Sequence, residues 1–353
     1  MKIQRLMLAV LAVCGTSAAL AQSSVTIYGR VNTSIEQQKL GDNKVTGMFN
    51  NASRIGFKGV EDLGGGLKAG FQLEAGFGSD DGSGPLTFGR QSEVNLSGNW
   101  GMVRLGNFTA ESYYATADYI SMHNHDTGSS SDALYVYGMR DTNKISYRTP
   151  EMGGFWAEAA YSFHEKASIK GQDGVTNIGT QKNAVDLAAN YNNGPLGLGA
   201  GFTQISGSDL VGGNDKLQQL GLRASYAIGA LTLGGYYQYA KESYKAPGVS
   251  DSAKRHAVRL AAMYTLGASE FHANVGRANK WKPDGDGTGA TQWTLGYNYN
   301  LSKRTKVYTY YTRVNNGNNA DYGYGFNSNL KALQAGAEGK DFSSFAVGVR
   351  HNF

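Results

Sequence analysis

The chain has 353 residues, one cysteine and a formal net charge of +5, from 33 Lys and Arg against 28 Asp and Glu. A lone Cys14 excludes a disulfide framework within the chain, and so small a charge excess excludes a surface built for nucleic acid. Glycine (49) and tyrosine (22) are abundant while proline (5) is scarce, which points to an all-β chain with aromatic surface positions.

Residues 1–21 read as an export signal. Lys2 and Arg5 form the charged start, residues 6–13 the apolar run, and Ala19-Leu20-Ala21 a small-x-small cleavage site. The run is too short to span a bilayer as a helix. A lipoprotein reading of Leu11-Ala12-Val13-Cys14 is disfavoured by the valine before the cysteine. Cleavage after Ala21 would remove Cys14, and thiolate chemistry with it. No later stretch approaches eighteen apolar residues, and no linker composition divides residues 22–353, so one domain is expected there.

Residues 25–35 form the first predicted strand, with Val25, Ile27, Val31 and Ile35 on one face and Tyr28, Arg30 and Asn32 on the other. A polar loop is expected over residues 37–50. Residues 51–77 then give a hairpin. Ile55 and Phe57 alternate with Arg54, Gly56 and Lys58, and after Gly64-Gly65-Gly66 the set Leu67, Ala69, Phe71, Leu73 and Ala75 alternates with Lys68, Gln72 and Glu74. Residues 88–98 and 102–106 flank a short turn at Asn99-Trp100-Gly101. After a long irregular segment, 143–149 and 155–163 flank another turn, as do 184–192 and 196–204.

The second half repeats the scheme. Strands at 217–226, 231–240, 256–264, 269–278, 291–299, 305–314 and 342–353 bring the predicted total to sixteen. The connections alternate between short turns and long polar loops, as in outer-membrane barrels with short periplasmic turns. One face of each strand is apolar with aromatic ends, for example Leu220, Leu222 and Tyr226, or Val258, Leu260 and Tyr264. The other carries Arg223, Arg259 or Asn298. In a soluble sandwich the apolar face would be a dry core. A charged opposite face fits a wet lumen and an apolar face turned to lipid, so the fold expected is a sixteen-stranded antiparallel transmembrane β-barrel.

Motifs along the chain resemble the general diffusion porins of Gram-negative bacteria, in particular the trimeric sixteen-stranded porins of β-proteobacteria. They are Val25-Thr-Ile-Tyr-Gly29, Ser53-Arg-Ile-Gly-Phe-Lys-Gly-Val-Glu-Asp-Leu-Gly64, Phe88-Gly-Arg-Gln91, Ile145-Ser-Tyr-Arg-Thr-Pro150, Leu301-Ser-Lys-Arg-Thr305 and Val349-Arg-His-Asn-Phe353. The resemblance implies a homotrimer of water-filled pores in the outer membrane, passing ions and small hydrophilic solutes by passive diffusion. It also implies partners in lipopolysaccharide and the barrel-assembly machinery, with Phe353 as an assembly signal. The third long loop, residues 108–141, should fold inward and narrow the pore. Its text does not align residue by residue with the family.

A pore selects by its width and by the charges at its narrowest section. Alternation turns Arg30, Arg54, Lys58, Lys68, Arg104, Lys144, Arg148, Arg223, Arg259, Lys306 and Arg350 inward, against Glu36, Glu74, Glu93, Glu158, Asp186 and Glu270. Arg54, Lys58 and Arg148 are the expected wall residues at the constriction. Arg90 belongs to a matching motif and is counted with the basic wall residues, although alternation points it outward, so a bulge or a high position is needed. Glu111, Asp118, Asp126 and Asp132, with Asp141 against Arg140, make the loop acidic. An acidic loop facing a basic wall predicts a transverse field and a weak to moderate anion preference. A substrate-specific channel is the alternative, as is a barrel hydrolase, but no serine elbow accompanies His256 or His272. His123 and His125 lack a third ligand at metal-site spacing. No catalytic residue, metal or cofactor is expected.

Overall fold

The computed structural model describes residues 24–116, 133–136, 141–163, 167–171, 174–178, 183–206, 216–246, 249–283, 285–322 and 337–353. The export segment, Asp118, Asp126, Asp132, Arg140, His123 and His125 lie outside the described residues.

The first strand, β1 (Ser24–Leu40), turns at Gly41 into β2 (Asn43–Asn50). After a kink at residues 51–53, β3 (Arg54–Gly64) continues the same line. The upper half of β1 pairs with β2, from Thr33↔Asn50 to Leu40↔Asn43, and the lower half with β3, from Ser24↔Val60 to Arg30↔Arg54. Thus β2 and β3 act as one barrel strand. The kink places Ala52 in the left-handed region at φ 54. Its polar groups are met in the wall. Asn51 Nδ2 donates to Ser34 Oγ (2.8 Å) and Tyr308 OH (3.0 Å), and Ser53 Oγ accepts from Asn32 N (2.9 Å).

The sheet continues through β4 (Leu67–Gly76), β5 (Gln91–Gly98), β6 (Gly101–Asn107), β7 (Lys144–Arg148) and β8 (Phe155–Ser162). A separate hairpin, β9 (Ala167–Gly171) with β10 (Gly174–Ile178), stands apart in the next long connection. Then follow β11 (Asn183–Asn193), β12 (Leu196–Ser206), β13 (Lys216–Ile228), β14 (Leu231–Ala246) and β15 (Val249–Leu266). The last four are β16 (Ser269–Ala278), β17 (Ala290–Asn300), β18 (Thr305–Asn316) and β19 (Phe342–Asn352). Every neighbour is antiparallel, and β19 closes on β1 from Arg30↔Asn352 to Leu40↔Phe342. With β2 and β3 counted as one, the 17-stranded sheet is a closed sixteen-stranded barrel. Closure leaves no sheet edge, which a bilayer requires because it offers backbone groups no hydrogen bonds.

Burial is inverted relative to a soluble protein. Asn32, Glu36, Gln38, Gln238, Gln292 and Thr312 are almost fully buried, whereas Val25, Ile27, Leu187, Leu222, Leu260 and Val347 are exposed. The interior is therefore a hydrogen-bonded polar wall. Glu36 alone accepts from Ser34 Oγ (2.8 Å), Gln38 Nε2 (2.9 Å), Tyr310 OH (2.7 Å) and Ser344 Oγ (3.0 Å), tying β1, β18 and β19 together. No described helix is long and apolar enough to cross a membrane, which says nothing of crossing by strands.

Residues 37–50 form a hairpin and not the loop expected. The physical reason lies in an inversion of the strand pattern at this end of the barrel. Leu40 and Phe49 face inward and are buried, while Lys39 and Lys44 face outward. Inside, Leu40, Ala278, Ala290, Val314 and Phe342 cluster around Leu134 of the long loop. Beyond the lipid the outer face is wet and the inner face is covered, so the same alternation carries the opposite chemistry.

Candidate pore and constriction

The long connection between β6 and β7 enters the lumen as a short helix, α1 (Glu111–Thr116). Its base is clamped. Phe108 N donates to Asp141 O (3.1 Å) and Ala110 N to Asp141 Oδ1 (3.0 Å), while Lys144 Nζ donates to Asp141 Oδ1 (3.1 Å) and Phe108 O (2.8 Å). Phe108 is fully buried, with the Arg104 guanidinium 4.0 Å from its ring centroid and the Lys144 ammonium 5.1 Å.

The helix packs on β11, β12 and β13. Asp186 accepts from Ser112 N (3.1 Å) and from the Ser112 hydroxyl, and Thr203 Oγ1 adds a third donor at 2.7 Å. Gly199, Gly201 and Gly221 form the floor beneath it. A Cβ at Gly199 would stand 1.8 Å from Ala115 O, and one at Gly201 would stand 2.6 Å from Ser112 O. Only bare backbone lets the helix lie this close. The period-two glycines of Leu196-Gly-Leu-Gly-Ala-Gly-Phe202 were the available sequence signal for that groove, and strand alternation alone passed over it.

Further along, residues 133–136 reach the wall formed by β13, β14, β15 and β17. Ala133 N donates to Gln292 Oε1 (2.8 Å) and Val136 N to Gln238 Oε1 (3.0 Å), while Gln219 Nε2 donates to Tyr135 OH (2.6 Å). Arg255 donates to Leu134 O and the Tyr322 hydroxyl, and its guanidinium lies 5.1 Å from the Trp281 ring. Alternation starts this strand at residue 256, one position short of Arg255, whereas β15 begins at Val249.

A continuous ion-pair chain runs beside the helix. Glu93 Oε2 meets Arg104 Nη2 at 2.6 Å, Arg104 Nη1 meets Glu158 Oε1 at 3.3 Å, Glu158 Oε2 meets Arg148 Nε at 2.8 Å, and Arg148 Nη2 meets Glu111 Oε2 at 2.5 Å. Arg148 thus touches the loop, but its charge is shared between two carboxylates. Glu111 is turned to the wall and nearly buried. Burial pushes its carboxyl up to about 7, against the pull of Arg148. The described loop therefore does not offer Glu111 as a free acidic face. It turns Thr109, Tyr113 and Tyr114 to the open space instead.

That space is a cavity of about 770 Å³ lined by Arg30, Arg54, Arg90, Arg223, Lys306 and Arg350, with Glu270 as the one carboxylate among the described lining residues. Strand register explains the grouping. Arg54 pairs with Arg30 across β3 and β1, and Lys306 pairs with Arg350 across β18 and β19. Arg30 stands opposite Asn352, two residues from Arg350 on the same strand. Neighbouring strands lie about 4.8 Å apart, so these four cations form one band across four adjacent strands, a quarter of the sixteen-stranded wall.

Arg90 joins them, against the outward direction that strand parity alone would give it. It lies in the bend just before β5, outside the strand whose parity was applied to it. There its Nε donates to Glu74 Oε1 at 2.6 Å, with Arg54 Nε 3.7 Å from the same oxygen. Lys58 is exposed beside the Tyr28 ring (5.4 Å) and is not among the cavity residues. Phe353 closes the seam between the first and last strands. Its N donates to Gly29 O (3.1 Å) and its O accepts from Gly29 N (3.0 Å).

His256 faces outward, with Nδ1 2.7 Å from the Tyr237 hydroxyl, and His272 sits with Asn298 and Glu270.

Comparison with known proteins agrees with this architecture. A family model described as Gram-negative porin matches residues 8–320. Outer membrane porin protein 32 of Delftia acidovorans is 35% identical, with 100% of both chains covered. The major outer membrane protein P.IB of Neisseria meningitidis serogroup A is 27% identical, covering 83% of this chain and 89% of its own. Among solved structures, an anion-selective porin from Comamonas acidovorans matches with a TM-score of 0.74 and 29% identity over 94% of this chain and 100% of its own. An outer membrane protein of Vibrio cholerae in trimer form, 16% identical with a TM-score of 0.66, shares the fold. A closed sixteen-stranded barrel with a polar wall, an inward helix and full-length relatives of one kind leads to a single conclusion: this chain belongs to the Gram-negative porins, the diffusion channels of the outer membrane.

Proposed function

We propose that the channel prefers anions, and that the cavity lined by Arg30, Arg54, Arg90, Arg223, Lys306 and Arg350 against Glu270 sets this preference. Each permeating ion passes within a Debye length of these groups, about 8 Å at physiological salt. Cations are repelled and anions concentrated at the band. The loop of residues 108–141 narrows the path by holding α1 against the wall, and residues 1–21 are removed on export. The working form is a homotrimer in a membrane whose outer leaflet holds lipopolysaccharide, assembled by machinery that reads the terminal Phe353. Passive diffusion of ions and small hydrophilic solutes past the hydrogen-bonded groups of the described wall is its activity.

Reversal potential under a salt gradient in a planar bilayer tests the reading. The parent pore should favour anions, and the Arg54→Gln/Arg90→Gln variant should lose most of that preference, since Glu74 then stands without either guanidinium. Cation preference in the parent, or an unchanged variant, would refute it.

A further inference from the structure

The cavity beside α1 has two unlike sides. The cations Arg30, Arg54, Lys306 and Arg350 belong to β1, β3, β18 and β19. Tyr113 and Tyr114 on α1, with Tyr236 on β14, line the same space. The helix lies on β11, β12 and β13. With β2 and β3 counted as one, β13 is seven strands from β1 in one direction round the barrel and nine in the other. The rings therefore stand across the lumen from the cations. Leu196, Pro195 and Met263 extend the ring side with apolar groups.

Most of this aromatic cluster packs the helix on the wall. Tyr113 and Tyr236 are buried together, and Tyr135 packs on Tyr236 with ring centroids 5.6 Å apart. Tyr114 differs. Its ring lies 5.5 Å from that of Tyr113 at 58°, yet it is only half-buried and lines the cavity. Its hydroxyl is 3.4 Å from Nε2 of Gln91, the residue after Arg90. Arg90 keeps 40% of its side chain exposed and meets Glu74 through Nε, one of the five donor positions of a guanidinium. Arg54 Nε, 3.7 Å from the same Glu74 oxygen, joins Arg90 to the cationic band. An aromatic ring and an exposed guanidinium thus stand at the same end of the band.

We infer that this cavity is a binding site for aromatic monocarboxylates, with the ring against Tyr114 and the carboxylate on Arg90. The inference names a solute class for the proposed anion channel and rests on that reading. A carboxylate accepts two parallel hydrogen bonds from one guanidinium, which a monatomic anion cannot do. An aromatic ring in offset or edge contact with another gains more than burial alone provides. Inorganic anions use only the cations, and neutral aromatics use only the rings. A solute with the chemistry of benzoate uses both sides. Its binding is weak and reversible, because conduction requires that a solute leave as well as enter.

The test measures chloride conductance of the purified porin in a planar bilayer above neutral pH. Benzoate, cyclohexanecarboxylate or benzyl alcohol is added. The two carboxylates carry the same charge at similar size, and only benzoate is aromatic. Benzoate should half-block at a concentration about twofold to tenfold lower than cyclohexanecarboxylate, the range an aromatic pair supports. Benzyl alcohol should not block. Tyr114→Leu should bring the two carboxylates to equal half-block, each scaled to that variant's own chloride conductance. Tyr114→Phe retains the ring and should retain the difference, while Arg90→Gln should weaken the block by both carboxylates. Equal half-block in the parent, a difference that survives Tyr114→Leu, or one lost in Tyr114→Phe would each overturn the site. The parent's reversal potential in a potassium chloride gradient reads the anion-channel proposal separately. Anion preference with equal half-block defeats the aromatic site alone, whereas cation preference defeats both.

Discussion

Glu111 shows how one side chain can couple the loop to the permeation path. It sits between the wall and α1, bonded to Arg148, with Glu158 and Asp186 also contributing to its field. Desolvation is the largest cause of its shift, so its carboxyl takes up a proton near pH 7, well above the ordinary carboxylate range. The sign follows directly. As pH falls through about 7 a negative charge beside the pore is neutralised, Arg148 is left less compensated, and anion preference should rise. Reversal potentials between pH 8 and pH 5.5 would show a step centred near 7 in the parent, and that step should vanish in Glu111→Gln. A step of equal size in the variant would assign the titration to another group.

At the level of elements, the glycine floor and the terminal seam carry separate tasks. Gly199 leaves room for Ala115 O, so Gly199→Ala forces the helix away from β12 by about 1.5–2 Å to restore an ordinary contact. The base is held by Asp141 and Lys144, so the displacement goes into the lumen. Single-channel conductance should drop while the folded, heat-modifiable barrel persists. Phe353 acts on closure instead. Its backbone pairs with Gly29, and a Cβ at Gly29 would stand 2.4 Å from the Phe353 ring, so the ring lies flat on the seam. Deleting Phe353 should reduce the yield of folded trimer in the outer membrane, read by heat-modifiability, without altering the conductance of the trimers that do form.

For the whole molecule, the distribution of charge matters more than its sum. A formal +5 over 353 residues is unremarkable. The barrel gathers Arg30, Arg54, Arg350 and Lys306 from strands near both ends of the chain into one band, because β1 closes on β19. Such a band acts through a screened field whose range shrinks from about 10 Å at 0.1 M salt to about 3 Å at 1 M. Anion preference should therefore weaken steeply as total salt rises at a constant gradient ratio. A preference independent of salt would point to size exclusion or to a site of direct ion contact.

The sequence by itself determined the barrel. Apolar and polar residues alternate with period two, tight glycine turns alternate with long loops, and a lipid-facing strand must be apolar outside whatever its neighbours are. Arg30, Arg54 and Arg223 were legible as lumen residues for that reason. Tertiary structure alone decided what the lumen residues do. Arg148 is pinned by Glu111 and Glu158, Arg90 turns inward because it precedes its strand, and Lys58 falls outside the cavity. It also decided that residues 37–50 pair as strands, since their pattern is inverted above the membrane, where Leu134 of a distant loop supplies an apolar interior. Parity assigns a side chain to a face. Its height along the barrel, and the partners that reach it there, depend on strand stagger and on a loop folded back through the lumen, which no local pattern encodes.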